Sequence, residues 1–250
     1  MHSLAVIILT KNEEKHIAQA VNSAKAYATE VLIVDAGSSD GTVELAKSLG
    51  AKISYRQWDD DFAAQRNFAL TQTTADWVFF LDADECLTSD TGIAMQAIVA
   101  STQQIQGKVK RTNIAFGHQF AHGAFGPDEV TRLFPRSAVH WVNKVHEHPE
   151  CALPELLLPG TLLHYTYESW QQWWEKAGKY TTIWAADKYA QGKRTSLSSV
   201  LMHVIGGAIK VFIIQGGILE GPMGLVSTWQ HMAYTLSKYM KLLELQRKND

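Results

Sequence analysis

Three short runs of uniformly apolar residues mark the first third of the chain: Leu4 to Leu9, Val31 to Val34 and Trp77 to Leu81. Runs this short, rich in β-branched or aromatic residues and apolar on both faces, predict strands buried on both sides in a parallel sheet. Ala51 to Tyr55 predicts a weaker strand. Between the runs the period lengthens. Ile17, Ala20, Val21 and Ala24 fall at spacings 0, 3, 4 and 7, one face of a helix. Ser39-Asp40 predicts the cap of a helix through Lys47, stopped by Gly50, and Phe62 to Leu70 a third short helix. Strand, helix, strand, helix, strand, helix, strand describes an α/β unit with right-handed crossovers. In such sheets ligands sit beyond the carboxyl ends of the strands. Those ends carry Thr10-Lys11-Asn12-Glu13-Glu14, Asp35-Ala36-Gly37-Ser38-Ser39-Asp40 and Asp82-Ala83-Asp84-Glu85.

The last third has helical periodicity. Trp170, Trp173, Trp174, Ala177, Thr181 and Trp184 lie at spacings 0, 3, 4, 7, 11 and 14. Trp229, Met232, Ala233, Leu236, Tyr239, Met240 and Leu243 repeat the stripe, with Lys238, Lys241, Arg247 and Lys248 nearby. Val200 to Leu219 is the most apolar stretch, but His203, Lys210, Gln215 and four glycines interrupt it. It therefore lacks the ~18 uninterrupted apolar residues of a spanning helix. Helices lying on a bilayer fit this pattern, with aromatic and basic residues at the interface. Packing of the same stripes on a catalytic domain or a second subunit is the competing reading.

Composition adds little to the class. The 250 residues are 46% hydrophobic and 19% charged, as in an ordinary soluble protein of one large domain or one domain with an appendage. Cys86 and Cys151 have neither disulfide-framework nor zinc-motif spacing, which predicts a reducing compartment. The segment Met1-His2-Ser3-Leu4 runs into the first strand without the pattern of a signal peptide. Charge is divided more sharply. Residues 1–169 carry 13 Lys/Arg against 20 Asp/Glu, whereas residues 170–250 carry 10 against 5. An acidic first part suits carboxylates and a metal. The basic remainder suits an anionic partner, membrane or nucleic acid, or is simply a solvated surface.

Candidate chemistry concentrates at Asp82 and Asp84. Turn carboxylates often serve only their own backbone, which applies to Ser39 and Asp40 as caps and to Asp35 taken alone. Asp82, Asp84 and Glu85, directly after a strongly apolar strand, repel one another unless something positive is bound. Hard oxygen ligands with few protein contacts are what a phosphate-bound magnesium or manganese uses. A departing diphosphate needs such an ion to neutralise its developing charge.

Ile7 to Glu14, Val31 to Thr42 and Phe80 to Glu85, in this order and spacing, resemble family 2 glycosyltransferases of the GT-A fold. With Arg132-Leu133-Phe134, Val145-His146-Glu147 and the basic C-terminal part, the chain resembles bacterial glucosyltransferases that extend the heptose inner core of lipopolysaccharide through a β-1,4 linkage. The resemblance implies a Rossmann-like, mostly parallel central sheet over residues 1–168, with a nucleotide-sugar half at 1–100 and an acceptor half at 101–168. A helical, amphipathic, membrane-associating extension would follow over 169–250. It implies that Thr10, Asn12 and Glu13 line the base and ribose pocket, that Asp35 binds the base, that Arg66 beside Asn67 lies near the donor, that Asp82 contacts the sugar or ribose, and that Asp84 holds the metal. Gln65 stands where the family has alanine.

An inverting transfer needs a general base on the acceptor side. Glu147 is the expected base, with Asp128 as runner-up. Arg132 is expected to meet the pyrophosphate or an acceptor phosphate, or else to form a structural salt bridge. His146 is a further expected metal ligand. The function so implied is transfer of a hexose, glucose from UDP-glucose, to a lipid-linked saccharide acceptor, a heptose of the inner core. It would use Mg or Mn, without nucleic acid, at the cytoplasmic face of the inner membrane and against its anionic surface. Another UDP-sugar transferase of surface polysaccharide, or an inactive relative acting as a membrane-surface module, are the alternatives. An Asp-x-Asp phosphatase would want the motif on the first strand and Thr or Val where Cys86 stands.

Overall fold

The computed structural model describes residues 2–101, 103–144 and 147–249. The chain divides into two compact units, Met1–Arg111 with Asp128–His164, and Thr112–Pro127 with Tyr165–Asp250.

The first unit has the predicted α/β order. Strands β1 (Leu4–Thr10), β2 (Glu30–Asp35), β3 (Lys52–Tyr55) and β4 (Trp77–Asp82) alternate with helices α1 (Ile17–Lys25), α2 (Thr42–Ser48) and α3 (Phe62–Thr71). Next come β5 (Glu85–Leu87), α4 (Ser89–Ala100), β6 (Gln106–Ala115), β7 (His118–Gln119), β8 (Asp128–Pro135), β9 (His140–Val142), β10 (His148–Glu150) and β11 (Glu155–Tyr167). The main sheet runs β3-β2-β1-β4-β8-β6-β11-β5, with β7 paired to β6, and β9 and β10 form a separate ribbon. Its first four strands are parallel and β8 joins β4 antiparallel, so the sheet is mixed, with the predominantly parallel α/β half that the sequence predicts.

The double-sided apolar runs now have a cause. Leu4, Val6 and Ile8 of β1 pack into one core layer with Ile17, Val21 and Met95, while Ala5 and Ile7 pack into the other with Ala63, Phe80 and Trp141. Each large side chain so buried contributes roughly 1.5–3 kcal/mol, which fixes register as well as stability. In that register Thr10 stands beside Asp35, and Leu9 beside Asp82. The three polar turns therefore share one edge of the sheet. Helix α2 starts later than Ser39-Asp40 predicts: Gly41 precedes it, and Asp40 accepts from the Thr42 N–H at 3.1 Å. Asp61 caps α3 by accepting from Ala64 N–H at 2.8 Å.

The second unit is built on α5 (Trp170–Ala190), α6 (Leu197–Ile209) and α7 (Pro222–Asn249). Of the predicted α5 stripe, Trp173, Ala177 and Thr181 are buried, whereas Trp170 and Trp174 stay exposed and cluster with Trp229. Helix α6 continues as a π-turn over Lys210–Ile214. The interruptions by His203, Lys210 and glycines, expected to exclude a span, leave Leu197–Ile214 with a mean hydropathy of 2.0 over 18 residues, only 17% of them buried. By length and composition this helix is sufficient to cross a membrane. One lysine and one histidine do not outweigh the Leu, Val and Ile around them.

Candidate functional site

The loops after β1 and β2 are tied to each other. Asn12 adopts φ 57, a left-handed conformation that Asn tolerates better than most residues. Its N–H donates to Ser38 Oγ at 2.9 Å, and its Oδ1 accepts from Ser39 N–H at 2.8 Å. Glu13 N–H donates to Thr42 Oγ1 at 2.8 Å. Asp35, buried at the end of β2, accepts from the N–H groups of Gly37 and Ser38 at 2.8 and 2.9 Å, and from the hydroxyls of Ser38 and Thr10 at 2.5 and 3.2 Å. An ionised carboxylate has about four acceptor sites, so Asp35 spends its capacity on holding these turns together.

The turn Asp82-Ala83-Asp84-Glu85 contains its own countercharges. Arg132 Nη2 donates to Asp82 Oδ2 at 2.6 Å and to Glu85 Oε1 at 2.8 Å. Arg66 Nη2 donates to Asp82 Oδ1 at 3.2 Å, and Arg111 Nη1 to Glu85 Oε1 at 3.3 Å. Glu85 also accepts from the Asp82 N–H at 3.0 Å. The expectation that these carboxylates require a bound cation is corrected here for Asp82 and Glu85, because arginines supply the positive charge. Arg132 makes the structural salt bridge that was one of the expectations for it. The register explains it: Leu133 pairs with Phe79 across the antiparallel β4–β8 ladder, so Arg132 lies one step further toward the carboxyl end of β4.

These contacts set the ionisation of the turn. Burial alone would raise the Asp82 pKa, but the guanidinium of Arg132, then that of Arg66, holds it well below the usual carboxylate range. Full burial raises Glu85, against the pull of Arg132. Burial, with the charges of Glu85 and Asp84, pushes the Cys86 thiol up to about 11.

Arg66 links this turn to a second wall, formed by Trp141 of β9 and by Glu147. Its guanidinium lies 4.6 Å from the ring centre of Trp141 and 5.4 Å from that of Phe80, cation–π contacts with two rings that themselves pack edge to face at 5.0 Å. Its Nη2 also reaches Glu147 Oε1 at 3.5 Å. Asn67 anchors the same wall by a reciprocal pair with the Trp141 backbone, at 2.8 and 2.9 Å. Among the described residues the buried Nε and Nη1 of Arg66 and Nε of Arg132 have no hydrogen-bond partner. Each such orphan donor costs ~1–3 kcal/mol and suits an incoming oxygen acceptor.

Asp84 remains outside the arginine network. Its Oδ2 lies 3.4 Å from His164 Nε2 on β11, where His164 pairs with Glu85 across the β5–β11 ladder. Sequence reasoning missed His164; its only signal was a histidine alternating with apolar residues on a long strand. Among the described residues no group of three His, Cys, Asp or Glu side chains is arranged to hold a metal ion. Asp128 is held by Arg111 through a fork, Nε at 2.9 Å and Nη2 at 2.7 Å, with about half its side chain exposed. His146 lies outside the described residues.

Residues 5–141, more than half the chain, match the model of the family described as glycosyl transferase family 2. The chain belongs to that family. Among similar proteins, an uncharacterized glycosyltransferase of Rickettsia typhi is 30% identical over 98% of this chain and 87% of its own length. The lipopolysaccharide core biosynthesis glycosyltransferase LpsC of Rhizobium meliloti is 30% identical over 76% of this chain and 73% of its own. Among solved structures, glucosyl-3-phosphoglycerate synthase from Mycobacterium tuberculosis, in complex with Mn2+ and UDP-glucose, aligns with a TM-score of 0.38 at 20% identity, over 46% of this chain and 44% of that one. The chain thus spans less than half the length of that structure. As a member of family 2, the protein is a glycosyltransferase.

Proposed function

We propose that this glycosyltransferase moves a hexose, glucose from UDP-glucose, with inversion onto a lipid-linked saccharide, a heptose of the lipopolysaccharide inner core. The observation that carries the reading is the chain Asp82–Arg66–Glu147, which joins the acidic donor turn to a second carboxylate through a guanidinium with two buried nitrogens that have no partner among the described residues. The similarity to LpsC supports the choice of acceptor class.

In this reading Thr10, Asn12, Glu13 and Asp35 shape the base and ribose pocket, and the free N–H groups of Arg66 and Arg132 take oxygens of the diphosphate or sugar. Asp82, fixed by both arginines, faces the sugar nucleotide. Asp84 and His164 would hold a magnesium or manganese ion. The two side chains approach to 3.4 Å, and a carboxylate oxygen and an imidazole nitrogen are donors such an ion would accept. Bound there, the ion would offset charge on the departing diphosphate. Glu147 accepts the proton of the attacking hydroxyl, the hydroxyl oxygen forms the new bond to the anomeric carbon, and the bond from that carbon to the diphosphate breaks to release UDP. Arg66 orients Glu147 through their 3.5 Å contact.

The second unit, with net positive charge over residues 170–250 and an exposed apolar α6, would hold the enzyme at the anionic cytoplasmic face of the inner membrane, where a lipid-linked acceptor resides. The test is UDP release with a panel of UDP-sugars and a heptose-bearing lipid-linked acceptor. Glu147→Gln should lose transfer at least ~100-fold, within the usual share of a general base, while retaining UDP-sugar affinity. Near-normal turnover of that variant would remove Glu147 from the role. Absence of UDP release with every donor would favour the membrane-surface module instead.

A further inference from the structure

An apolar groove of about 770 Å³ lies in the second unit, between the end of α6 with its π-turn and the start of α7. Trp170, Ile209, Phe212, Ile213, Leu225 and Trp229 form most of its walls. Among the described residues Thr228 brings the one hydroxyl to its lining, and that hydroxyl donates to the Gly224 carbonyl at 2.7 Å, one turn back. The groove thus offers a ligand an almost wholly apolar lining with no charged side chain among its lining residues. Its shape comes from close backbone approach. Gly217 and Gly224 meet with no room for a side chain on Gly224, which draws the segment after α6 onto the start of α7.

We propose that this groove takes one acyl chain of an anionic membrane phospholipid. Four observations select that occupant. The lining fits a hydrocarbon and nothing more polar. The groove opens within a strip on which Leu201, Met202, Ile205, Ile209 and Ile213 are each more than half exposed, part of the 18-residue segment with a mean hydropathy of 2.0; a continuous apolar surface of this kind marks a contact site. Charge complements an anionic headgroup: Lys210 is exposed next to the lining residue Ile209, in a unit where residues 170–250 as a whole carry 10 Lys/Arg against 5 Asp/Glu. Trp170 and Trp229 stack at 5.8 Å on the groove wall, with Trp174 against both, the side chains that favour the headgroup boundary. The inference rests on the membrane association proposed above and is independent of the sugar-transfer chemistry.

The test uses the full chain, cis-parinaric acid as a fluorescent acyl probe, and flotation on phosphatidylglycerol/phosphatidylcholine vesicles. The expected result is saturable binding of one probe per chain, competed by lysophosphatidylglycerol, with energy transfer from tryptophan that falls in Trp229→Phe. Ala208→Trp, which fills the groove, should weaken the probe by about tenfold or more, the loss expected when an indole occupies the space the chain needs, while flotation persists. Saturable binding unchanged in Ala208→Trp, or no saturable binding to the parent protein that still floats, overturns the groove and leaves membrane association standing. No flotation of the parent overturns both. A concentration-dependent dimer that binds no probe and dissociates in Ile213→Asp assigns the strip to a second copy of the chain and overturns the proposal.

Discussion

Replacing Arg132 by methionine removes the central cation of the donor turn and leaves two carboxylates facing each other. The side chain of Glu85 is fully buried and that of Asp82 is 33% exposed, while Arg132 is 6% exposed. Removing one partner from a buried pair costs ~3–5 kcal/mol. Two features place the loss near the lower end: water screens Asp82 in part, and Arg111 still reaches Glu85 at 3.3 Å. About 3 kcal/mol in a chain of this size corresponds to a fall in Tm of roughly 6–12 °C. The pH dependence supplies a second check. In the parent, the depressed Asp82 value contributes stability that is present above the unfolded carboxylate value, about 3.9, and is lost only as pH falls through the lower folded value. In the variant, Asp82 and Glu85 both take up protons more readily, so their cost is greatest at neutral pH and shrinks as pH falls through their raised values. Calorimetry at about pH 7.5 and about pH 5 should show the gap between parent and variant narrowing at the lower pH. Arg132→Lys, which keeps charge but not the fork, should fall between. A Tm within ~2 °C of the parent at neutral pH, or a gap that widens on acidification, would refute the reasoning.

Asp84→Asn and His164→Asn should each weaken manganese-dependent UDP binding by calorimetric titration, at least about tenfold, with little change in Tm, since their mutual contact is partly exposed; donor affinity indifferent both to these changes and to EDTA would count against the pair. Gly224→Ala should destabilise the second unit by about 2 kcal/mol or more, because its methyl group would meet the Gly217 carbonyl. Hydrogen exchange concentrated in α6 and α7 would report it, and unchanged protection there would contradict the close approach.

The parallel half of the sheet was legible because β1, β2 and β4 are buried on both faces, which leaves an unbroken apolar run and a polar stop at each carboxyl end. Pairing Thr10 with Asp35 and Leu9 with Asp82 then follows from strand order. The charge balance of the donor turn was not legible. Asp82 and Glu85 meet Arg132 and Arg111 only through antiparallel strands β6 and β8, some 25 to 50 residues further along the chain. Periodicity says which face a residue takes, not which distant strand will lie beside it, and a local excess of carboxylates looks the same whether a metal or a guanidinium neutralises it. His164 was hidden for the same reason: a single histidine on a strand carries no spacing pattern until β5 is placed beside it. The apolar reach of α6 was missed by counting interruptions, although a helix exposes its average character along a face.

The hydrogen bonds among Asn12, Asp35, Ser38, Ser39 and Thr42 join two loops into one body. Surface loops are ordinarily where a lineage experiments with insertions. Here a residue added to either loop would unfasten both, and with them the ends of two central strands. Descendants of this sequence can therefore vary what the pocket recognises by exchanging side chains, or by lengthening segments elsewhere, but not by remodelling these turns. Their lengths should stay fixed across relatives that have diverged in the sugar they handle.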